Sequence, residues 1–374
     1  MSDTQEMLVE NQEPGQGGKK RKIKVGLVIL LILLGLGIIL TTLYFGWIKP
    51  IIERPLGATL SVPIVSLQTN TVVPTPELAT DVPTEVIPTV PTSTPTKKPV
   101  CGEDVTWNFL LIGIDTEGTN YLYGLADVIR VIHVDFAEMN VEMVALPRDL
   151  IVTAPDGLFK EENPIKINQG YLFGAPGWTG SSETGSGADS LAQVIYYNFG
   201  VPANHYAVVN FTAVEDFIDA IGGVTVDLPY EVWDPDPSLG YFPMGVQTLD
   251  GDRALDLMRI RENYSDDFRV GNQSIILKAL IKKFMDPAML LKMPGLINDF
   301  KDAFVTDLSI EQVVNLGTCF LKNFDTDNMH SHQAPEGMLI QGMEYIPSLS
   351  GASSVYFWDQ SLVDWIHQSL FKTE

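Results

Sequence analysis

Residues 107–115 read Trp-Asn-Phe-Leu-Leu-Ile-Gly-Ile-Asp, a short apolar run that ends in a glycine, an isoleucine and a carboxylate. Such a run, rich in aromatic and branched side chains, is typical of a strand buried on both faces of a sheet. Two similar runs follow at residues 128–134 and 141–146, separated by a few polar residues that can turn the chain. The sequence therefore predicts neighbouring buried strands, the first of which ends at Asp115.

Helical and strand patterns alternate further along the chain. Strands are predicted at residues 205–209 and 224–228, where apolar residues form short or alternating runs. Helices are predicted where apolar residues recur every three or four positions, at residues 188–199, 212–221, 253–260, 273–284 and 310–324. Strands that alternate with helices favour an α/β domain with a central sheet.

The charge balance restricts the class of partner. The chain has 374 residues, 45% of them hydrophobic, and a formal net charge of −23. The length and apolar content allow a sizeable core. Proteins that wrap DNA or RNA need a basic surface, so this balance predicts no nucleic-acid partner.

A compact basic run at residues 19–24 precedes an almost uninterrupted apolar stretch at residues 25–47. That stretch has about the 20 residues needed to cross a bilayer. A cleaved signal peptide is the alternative, but the stretch is longer than a signal core and no Ala-x-Ala-like site follows it. We predict a cytoplasmic tail (1–24), a transmembrane helix (25–47) and, by the positive-inside rule, an extracytoplasmic remainder in the cell membrane (single-pass, type II).

Residues 48–100 are predicted to be a Pro/Thr-rich linker that holds the domain away from the membrane. The compact extracytoplasmic domain is predicted to cover residues 101–374. Cys101 and Cys319 can form a disulfide in an oxidising compartment, but two lone cysteines leave the pairing open.

Arginine is the informative residue type in the predicted domain. Arg259, Arg261 and Arg269 lie close together in the sequence, and Arg148 follows an apolar strand. A guanidinium presents a planar fork of donors that matches two phosphate oxygens at once. Several such forks indicate a pocket for a multiply charged anion. The alternative is that they form structural ion pairs with nearby carboxylates, namely Asp149, Glu262 and Asp266.

Two carboxylates also lie at the ends of predicted strands, since Asp115 ends the first strand and Asp127 begins the second. Together they could hold Mg²⁺, a hard cation that shares oxygen ligands with phosphates; turn formation is the alternative role. The chain has no P-loop, nucleophile elbow or His-Glu-x-x-His motif. His330 and His332 could bind a metal, but an exposed strand or loop explains their alternation more simply.

An ordered set of motifs resembles the LytR-CpsA-Psr family of membrane-anchored cell-wall enzymes. No single motif is specific, but together they cover about residues 105 to 285 in the family's order. The matching stretches are residues 108–115 (NFLLIGID), 126–127 (AD), 146–149 (LPRD), 166–171 (KINQGY), 219–224 (DAIGGV), 249–255 (LDGDRAL), 259–261 (RIR), 266–269 (DDFR) and Gln273.

The resemblance implies an α/β domain with a central mixed sheet flanked by helices and a long groove for a polyprenyl chain. It implies a Mg²⁺-assisted phosphotransferase that moves a glycopolymer from a polyprenyl-pyrophosphate carrier to peptidoglycan. Asp115 and Asp127 would hold the metal, and Asp266 would orient the arginines or help to activate the acceptor hydroxyl. Lys166 is a further substrate-binding candidate. The implied pyrophosphate contacts, whose arginines are also the implied catalytic residues, are Arg148, Arg259, Arg261, Arg269 and Gln273.

Two departures from the family pattern reduce the expected positive charge of the site. Leu125 stands where the family usually has an arginine before the metal-binding aspartate, and Asn272 stands where it usually has one before the glutamine. Losing such donors weakens the stabilisation of a developing oxyanion. A non-catalytic polyprenyl-phosphate or wall-polymer binding protein and a polyprenyl-pyrophosphate hydrolase are therefore the alternative functions.

Overall fold

The computed structural model describes residues 25–61, 105–116, 118, 121–159, 162–178, 186–236, 238–260, 266–290, 292–300 and 303–371. The chain divides into two compact units, Met1–Ile52 and Glu53–Glu374. Helix α1 (Val25–Leu43) continues through one π-helical turn (Tyr44–Ile48) into α2 (Lys49–Glu53). Within the described part of the chain, Leu33–Glu53 is the one helix long and apolar enough to cross a bilayer. This helix is consistent with the predicted membrane anchor.

The second unit alternates strands and helices. Its strands are β1 (Thr106–Ile114), β2 (Ala126–Asp135), β3 (Asn140–Ala145), β4 (Ile151–Val152), β5 (Ile165–Lys166), β6 (His205–Asn210), β7 (Val224–Leu228), β8 (Val232–Trp233), β9 (Tyr241–Phe242), β10 (Gly245–Leu249), β11 (Val305–Thr306), β12 (Met329–His332), β13 (Ile340–Ile346) and β14 (Gly351–Phe357). Its helices are α3 (Gln169–Phe173), α4 (Gly187–Phe199), α5 (Phe211–Ala220), α6 (Gly251–Arg259), α7 (Asp266–Phe284), α8 (Pro287–Leu290), α9 (Met293–Phe300), α10 (Ile310–Asn323) and α11 (Gln360–Phe371).

Six strands form the central sheet in the order β11-β6-β1-β2-β3-β12. The pairs β1–β2, β2–β3 and β6–β11 are antiparallel, whereas β1–β6 and β3–β12 are parallel. The sheet is therefore mixed, and its central strand β1 is the apolar run at residues 107–115 with which the sequence prediction began. The predicted α/β fold with a central mixed sheet is confirmed.

Helices cover both faces of the sheet, because successive residues of a strand point to opposite faces. On one face, Leu110, Ile112 and Ile129 belong to the same buried cluster as Leu191 of α4 and Leu362 of α11. On the other face, Phe109 and Ile132 pack with residues of α7 and α10, namely Leu277 and Phe320. The α-β-α layering therefore follows from the strands being apolar on both sides.

A second apolar cluster joins α5, α6 and α7 to the hairpin formed by β7 and β10, and includes Ile218, Val226, Leu257 and Ile276. Helix α6 begins with Asp250, whose side chain accepts a 3.0 Å hydrogen bond from the N–H of Arg253. Helix α7 begins at Asp266 rather than at Gln273, since polar residues and a glycine in its first turns hide the apolar period. This cluster fixes the ends of α6 and α7 that carry the predicted site arginines.

Residues 53–61 pack within the second unit, although they fall inside the predicted linker of residues 48–100. The N–H of Leu56 donates to the carbonyl of Leu308 (3.1 Å), and the Tyr206 hydroxyl donates to the carbonyl of Ala58 (2.8 Å). Ser61 donates to Asp189 of α4 through its N–H (2.6 Å) and its hydroxyl. The Pro/Thr-rich stretch at residues 62–100 lies outside the described residues, and the domain boundaries remain predictions.

The C-terminal part adds strands as well as helices to the fold. Strand β12 extends the central sheet beside β3, β13 and β14 form an antiparallel hairpin, and α11 packs on the sheet. Cys319 is buried in α10. Cys101, with which the sequence allows but does not predict a disulfide, lies outside the described residues.

Replacing Ile112 by alanine should lower the free energy of unfolding by about 2–5 kcal/mol, because the side chain is fully buried in the central strand. The matched control is Ile340→Ala on β13, where 67% of the residue is exposed and the change should stay within about 0.5 kcal/mol. Urea unfolding of the two variants checks this. Equal losses would contradict the placement of β1 at the centre of the core.

Candidate active site

An apolar cavity of about 440 Å³ lies between one face of the central sheet and the helices that cover it. Strands β1, β2 and β6 form its floor, and α5, α7, α9 and the segment after α9 form its walls. The lining residues on the helices and that segment are largely aromatic or branched, and include Phe211, Phe217, Leu280, Phe300 and Phe304. Three of the phenylalanines contact one another, with the ring of Phe217 5.3 Å from Phe300 and 5.4 Å from Phe304.

A second, much smaller cavity adjoins the apolar one and has charged walls. Its charged residues are Asp127, Arg130, Arg148 and Arg269, and Gln273 is beside them. Val128, Arg130 and Gln273 line both cavities. The apolar cavity thus shares part of its wall with a small cavity lined by three arginines.

Arg148 connects several of the predicted site residues. Its Nη1 donates to both carboxylate oxygens of Asp127 at 2.8 Å, and its Nε lies 3.4 Å from Asp149. Asp149 also accepts from Lys166 Nζ at 2.8 Å. Part of the alternative interpretation is therefore correct, because Arg148 and Asp149 do pair. The carboxylates nevertheless hold both cations at one end of the sheet.

Backbone hydrogen bonds explain why the motif around Lys166 belongs to this site. The N–H of Ala126 donates to the carbonyl of Asn168 (3.2 Å), and the N–H of Asn168 donates to the carbonyl of Arg148 (3.3 Å). The start of β2, the loop after β3 and the turn before α3 are thereby held together. The charged side chains on these three segments consequently face one region.

Asp115 and Asp127 lie at the same end of the sheet, as predicted. Ile114 pairs with Ala126, and Asp115 exchanges hydrogen bonds with Leu125, donating its N–H (3.2 Å) and accepting at Oδ1 (2.6 Å). Asp115 is exposed and Asp127 is half-buried. The described residues contain no group of three or more His, Cys, Asp or Glu side chains that could form a metal cage by themselves.

Helix α7 presents Arg269 and Gln273 one turn apart, and both residues line the small cavity. Arg259, the last residue of α6, is exposed, and its guanidinium carbon lies 5.2 Å from the ring centre of Phe211, which lines the apolar cavity. Arg261 and the side chain of Asp266 lie outside the described residues, so their predicted roles remain predictions.

Residues 69–370 match the family model described as "LytR_cpsA_psr family". The chain belongs to the LytR-CpsA-Psr family. Among its curated relatives is the polyisoprenyl-teichoic acid–peptidoglycan teichoic acid transferase TagU of Enterococcus faecalis, 25% identical over 243 residues, which are 64% of this chain and 73% of the relative. TagV of Bacillus subtilis, which is also named as a polyisoprenyl-teichoic acid–peptidoglycan teichoic acid transferase, is 27% identical over 212 residues. These residues are 55% of this chain and 51% of the relative.

Solved structures of the LytR-CpsA-Psr family share the fold. The crystal structure of B. subtilis TagV superposes with a TM-score of 0.56 at 20% identity, over 72% of this chain and 97% of TagV. A structure of TagT described as bound to LIIa-WTA has a TM-score of 0.53 at 20% identity, over 72% of this chain and 91% of TagT.

The two departures from the LytR-CpsA-Psr pattern lie in different surroundings. Leu125 is half-buried and donates its backbone N–H to Asp115, so its position adjoins the predicted metal site. Asn272 is fully buried, and its amide nitrogen donates to the carbonyl of Leu257 in α6 (3.3 Å). Asn272 therefore joins two helices instead of lining either cavity.

Arg130 lines both cavities, although the sequence analysis did not select it as a site residue. Burial lowers its pKa to about 10, so its guanidinium still carries a charge at neutral pH. The sequence signal that could have identified Arg130 was an arginine in the middle of the apolar run at residues 128–134.

The histidine pair His330 and His332 was predicted to lie on an exposed strand or loop. The pair lies in β12, where Nε2 of His332 is 2.7 Å from Glu142.

A double-mutant cycle on Asp127 and Arg148 should give a coupling free energy of about 1 kcal/mol or more, because the half-buried pair shares two short hydrogen bonds. The control pair is Arg253 and Asp256 on α6, 3.6 Å apart, with an expected coupling below about 0.5 kcal/mol. Urea unfolding of the single and double alanine variants measures both. Equal couplings would contradict this ranking of the two pairs.

Proposed function

We propose that the chain is a membrane-anchored phosphotransferase that moves a glycopolymer from a polyprenyl-pyrophosphate carrier to peptidoglycan. One observation carries this proposal: the apolar cavity and the arginine-lined cavity share Val128, Arg130 and Gln273 as a common wall. A ligand that fills both would join an apolar part to an anionic group. A polyprenyl pyrophosphate has this construction.

Each half of the site suits the corresponding half of such a lipid. A cavity walled by phenylalanine and branched side chains favours an isoprenoid tail, because removing apolar surface from water is favourable and sugar hydroxyls would lose their hydrogen bonds there. Arg148 and Arg269 offer forked donors to phosphate oxygens. The polymer and the acceptor would then lie outside, beyond the small cavity.

The names of the relatives support the substrate class. TagU and TagV are named as transferases of polyisoprenyl-linked teichoic acid to peptidoglycan, and the TagT structure is described as a complex with LIIa-WTA. A lipid-linked anionic wall polymer as donor and peptidoglycan as acceptor are therefore the partners we propose for this chain.

In the proposed reaction, the acceptor hydroxyl oxygen bonds to the phosphorus that carries the polymer. The bond from that phosphorus to the bridging oxygen breaks, polyprenyl monophosphate leaves with the bridging oxygen, and the hydroxyl loses its proton to a base. The family resemblance implies that Asp266 would either orient the arginines or help to activate the hydroxyl. Arg148 and Arg269 would stabilise the charge that develops on the phosphate oxygens.

The residues around Asp127 fit a magnesium ion held jointly by protein and substrate. Mg²⁺ usually binds through one or two carboxylates plus phosphates and water, and Asp115 and Asp127 supply two carboxylates at one end of the sheet. Asp127 also accepts two hydrogen bonds from Arg148, which would hold its carboxylate in place. Bound Mg²⁺ would neutralise charge on the pyrophosphate leaving group.

The proposed location follows from the N-terminal helix. The basic run at residues 19–24 before the apolar stretch would place the N-terminus in the cytoplasm and the rest of the chain outside, by the positive-inside rule.

Arg148→Ala should reduce the turnover of a polyprenyl-pyrophosphate donor about a hundredfold, because it removes a donor to the phosphate oxygens. The control is Lys322→Ala, which removes one positive charge from an exposed position on α10, outside both cavities, and should leave turnover unchanged. Transfer to peptidoglycan oligomers by the full chain in lipid nanodiscs measures both. Parent-like turnover by Arg148→Ala would remove this residue from the site.

The same assay separates transfer from the two alternative functions. Release of free polymer phosphate without an acceptor would favour the hydrolase, and retention of lipid without turnover would favour the binding protein. The binding-protein alternative is worth testing because Leu125, beside Asp115, carries no charge where the family usually has an arginine.

Asp115→Asn and Asp127→Ala should each abolish the dependence of turnover on Mg²⁺ concentration. Asp115→Asn is the sharper test, since Asp127 also positions Arg148. Asp364→Ala, on the exposed side of α11, is the control for loss of a carboxylate and should keep the parent's Mg²⁺ dependence. Turnover measured as a function of MgCl₂ concentration tests this. An unchanged Mg²⁺ dependence in the Asp115→Asn variant would exclude Asp115 as a metal ligand.

A further inference from the structure

We propose that Arg130 is a further pyrophosphate-binding residue, placed where the lipid tail ends and the diphosphate begins. The inference rests on the proposed function, since it assigns an additional contact within the same site. It also assigns a role to the C-terminal part of the chain, which lies beyond the motifs that resemble the family at about residues 105 to 285.

The position of Arg130 follows from the register of the sheet. Arg130 lies in the middle of β2, opposite Leu111 of β1 and Ala145 of β3, and its side chain points to the face that carries the apolar cavity. Together with Val128 and Gln273, it belongs to the wall that both cavities share. Arg130 is therefore the one arginine among the described residues that line the apolar cavity.

The groups that Arg130 contacts directly are neutral, although Asp127, Arg148 and Arg269 line the same small cavity. Its Nη2 donates to the carbonyl of Val270 (3.0 Å), and its Nη1 lies 3.4 Å from Ser331 Oγ and 3.8 Å from Met143 Sδ. The residue is only 2% exposed. None of the ion pairs of the described residues includes Arg130. Burying a cation without a counter-charge is unfavourable, whereas an anionic ligand would offset that cost.

The geometry leaves donors for such a ligand. A guanidinium has five N–H groups, and the two oxygen acceptors around Arg130 account for only part of them. Arg130 also stands five residues after Leu125 on the same stretch of chain, where the family usually has an arginine. It would thus return to the site a positive charge that Leu125 does not supply, from a different place in the sheet.

Two serines keep the guanidinium in place. Ser331 of β12 lies 3.1 Å from Ser274 of α7 through the hydroxyl oxygens, and Ser274 donates to the carbonyl of Val270, which also accepts from Arg130. Arg130 is therefore tied both to the sheet edge formed by β12 and to the helix that carries Arg269. The edge strand from the C-terminal part contributes a positioning side chain to the site.

Arg130→Met tests the proposal, because methionine keeps an apolar wall and removes the charge. The affinities of the full chain in lipid nanodiscs are measured for farnesyl diphosphate, farnesyl monophosphate and farnesol. We expect Arg130→Met to lose about tenfold or more in affinity for the diphosphate and to keep the parent's affinity for farnesol. Arg130→Lys, which keeps the charge without the fork, should give an intermediate affinity for the diphosphate.

Thermal unfolding without ligand separates a binding role from a structural one. Arg130→Met should unfold at the same temperature as the parent or higher, since it removes a buried charge that has no counter-charge. A lower unfolding temperature with unchanged selectivity for the diphosphate over farnesol would overturn the proposal and make Arg130 a structural tie between β12 and α7.

Arg148→Ala distinguishes failure of this inference from failure of the proposed function. If Arg148→Ala weakens diphosphate binding while Arg130→Met and Arg130→Lys bind as the parent does, only the role of Arg130 is overturned. If the parent itself does not prefer farnesyl diphosphate to farnesol, both the role of Arg130 and the proposed function are overturned.

Discussion

The antiparallel pairing of β1 with β2 is the constraint on which the rest of the site depends. It brings Asp115 and Asp127 to one end of the sheet and points Arg130 to the face of the apolar cavity. Side chains alternate along a strand, so a slip of one residue would turn Arg130 into the opposite core and expose its neighbours to the cavity. Both strands are apolar on both faces, and the burial of these faces holds the register.

The small cavity is rich in positive charge, although the protein as a whole is strongly negative. The chain has a formal net charge of −23, yet its small cavity gathers Arg130, Arg148 and Arg269. Two of the cations near this site, Arg148 and Lys166, are held by Asp127 and Asp149, which orient them and reduce their mutual repulsion. Arg130 instead contacts neutral groups, Ser331 and the carbonyl of Val270. An incoming anion would therefore stabilise the buried charge of Arg130 more than it would stabilise the other two arginines.

Much of the fold was predictable, since β7 and the helix at residues 188–199 have clean apolar periods, and α4 begins only one residue earlier than predicted. The start of α7 was not, because Asp266–Asn272 has no apolar period and is stabilised by packing. The C-terminal strand β12 was predicted only as an exposed strand or loop around His330 and His332, since a short strand at the edge of a sheet depends on pairing with β3, far away in the sequence.

The sequence by itself determined the α/β class, the family and the candidate residues Arg148, Arg269, Gln273, Asp115 and Asp127, because local periodicity and ordered motifs are properties of neighbouring residues. Only the tertiary structure decided that an apolar cavity meets the arginine cluster, that Asn272 is buried between helices, and that Arg130 stands at the junction. These facts depend on which strand face and which helix turn meet in space, and contacts between residues so far apart along the chain leave no local pattern.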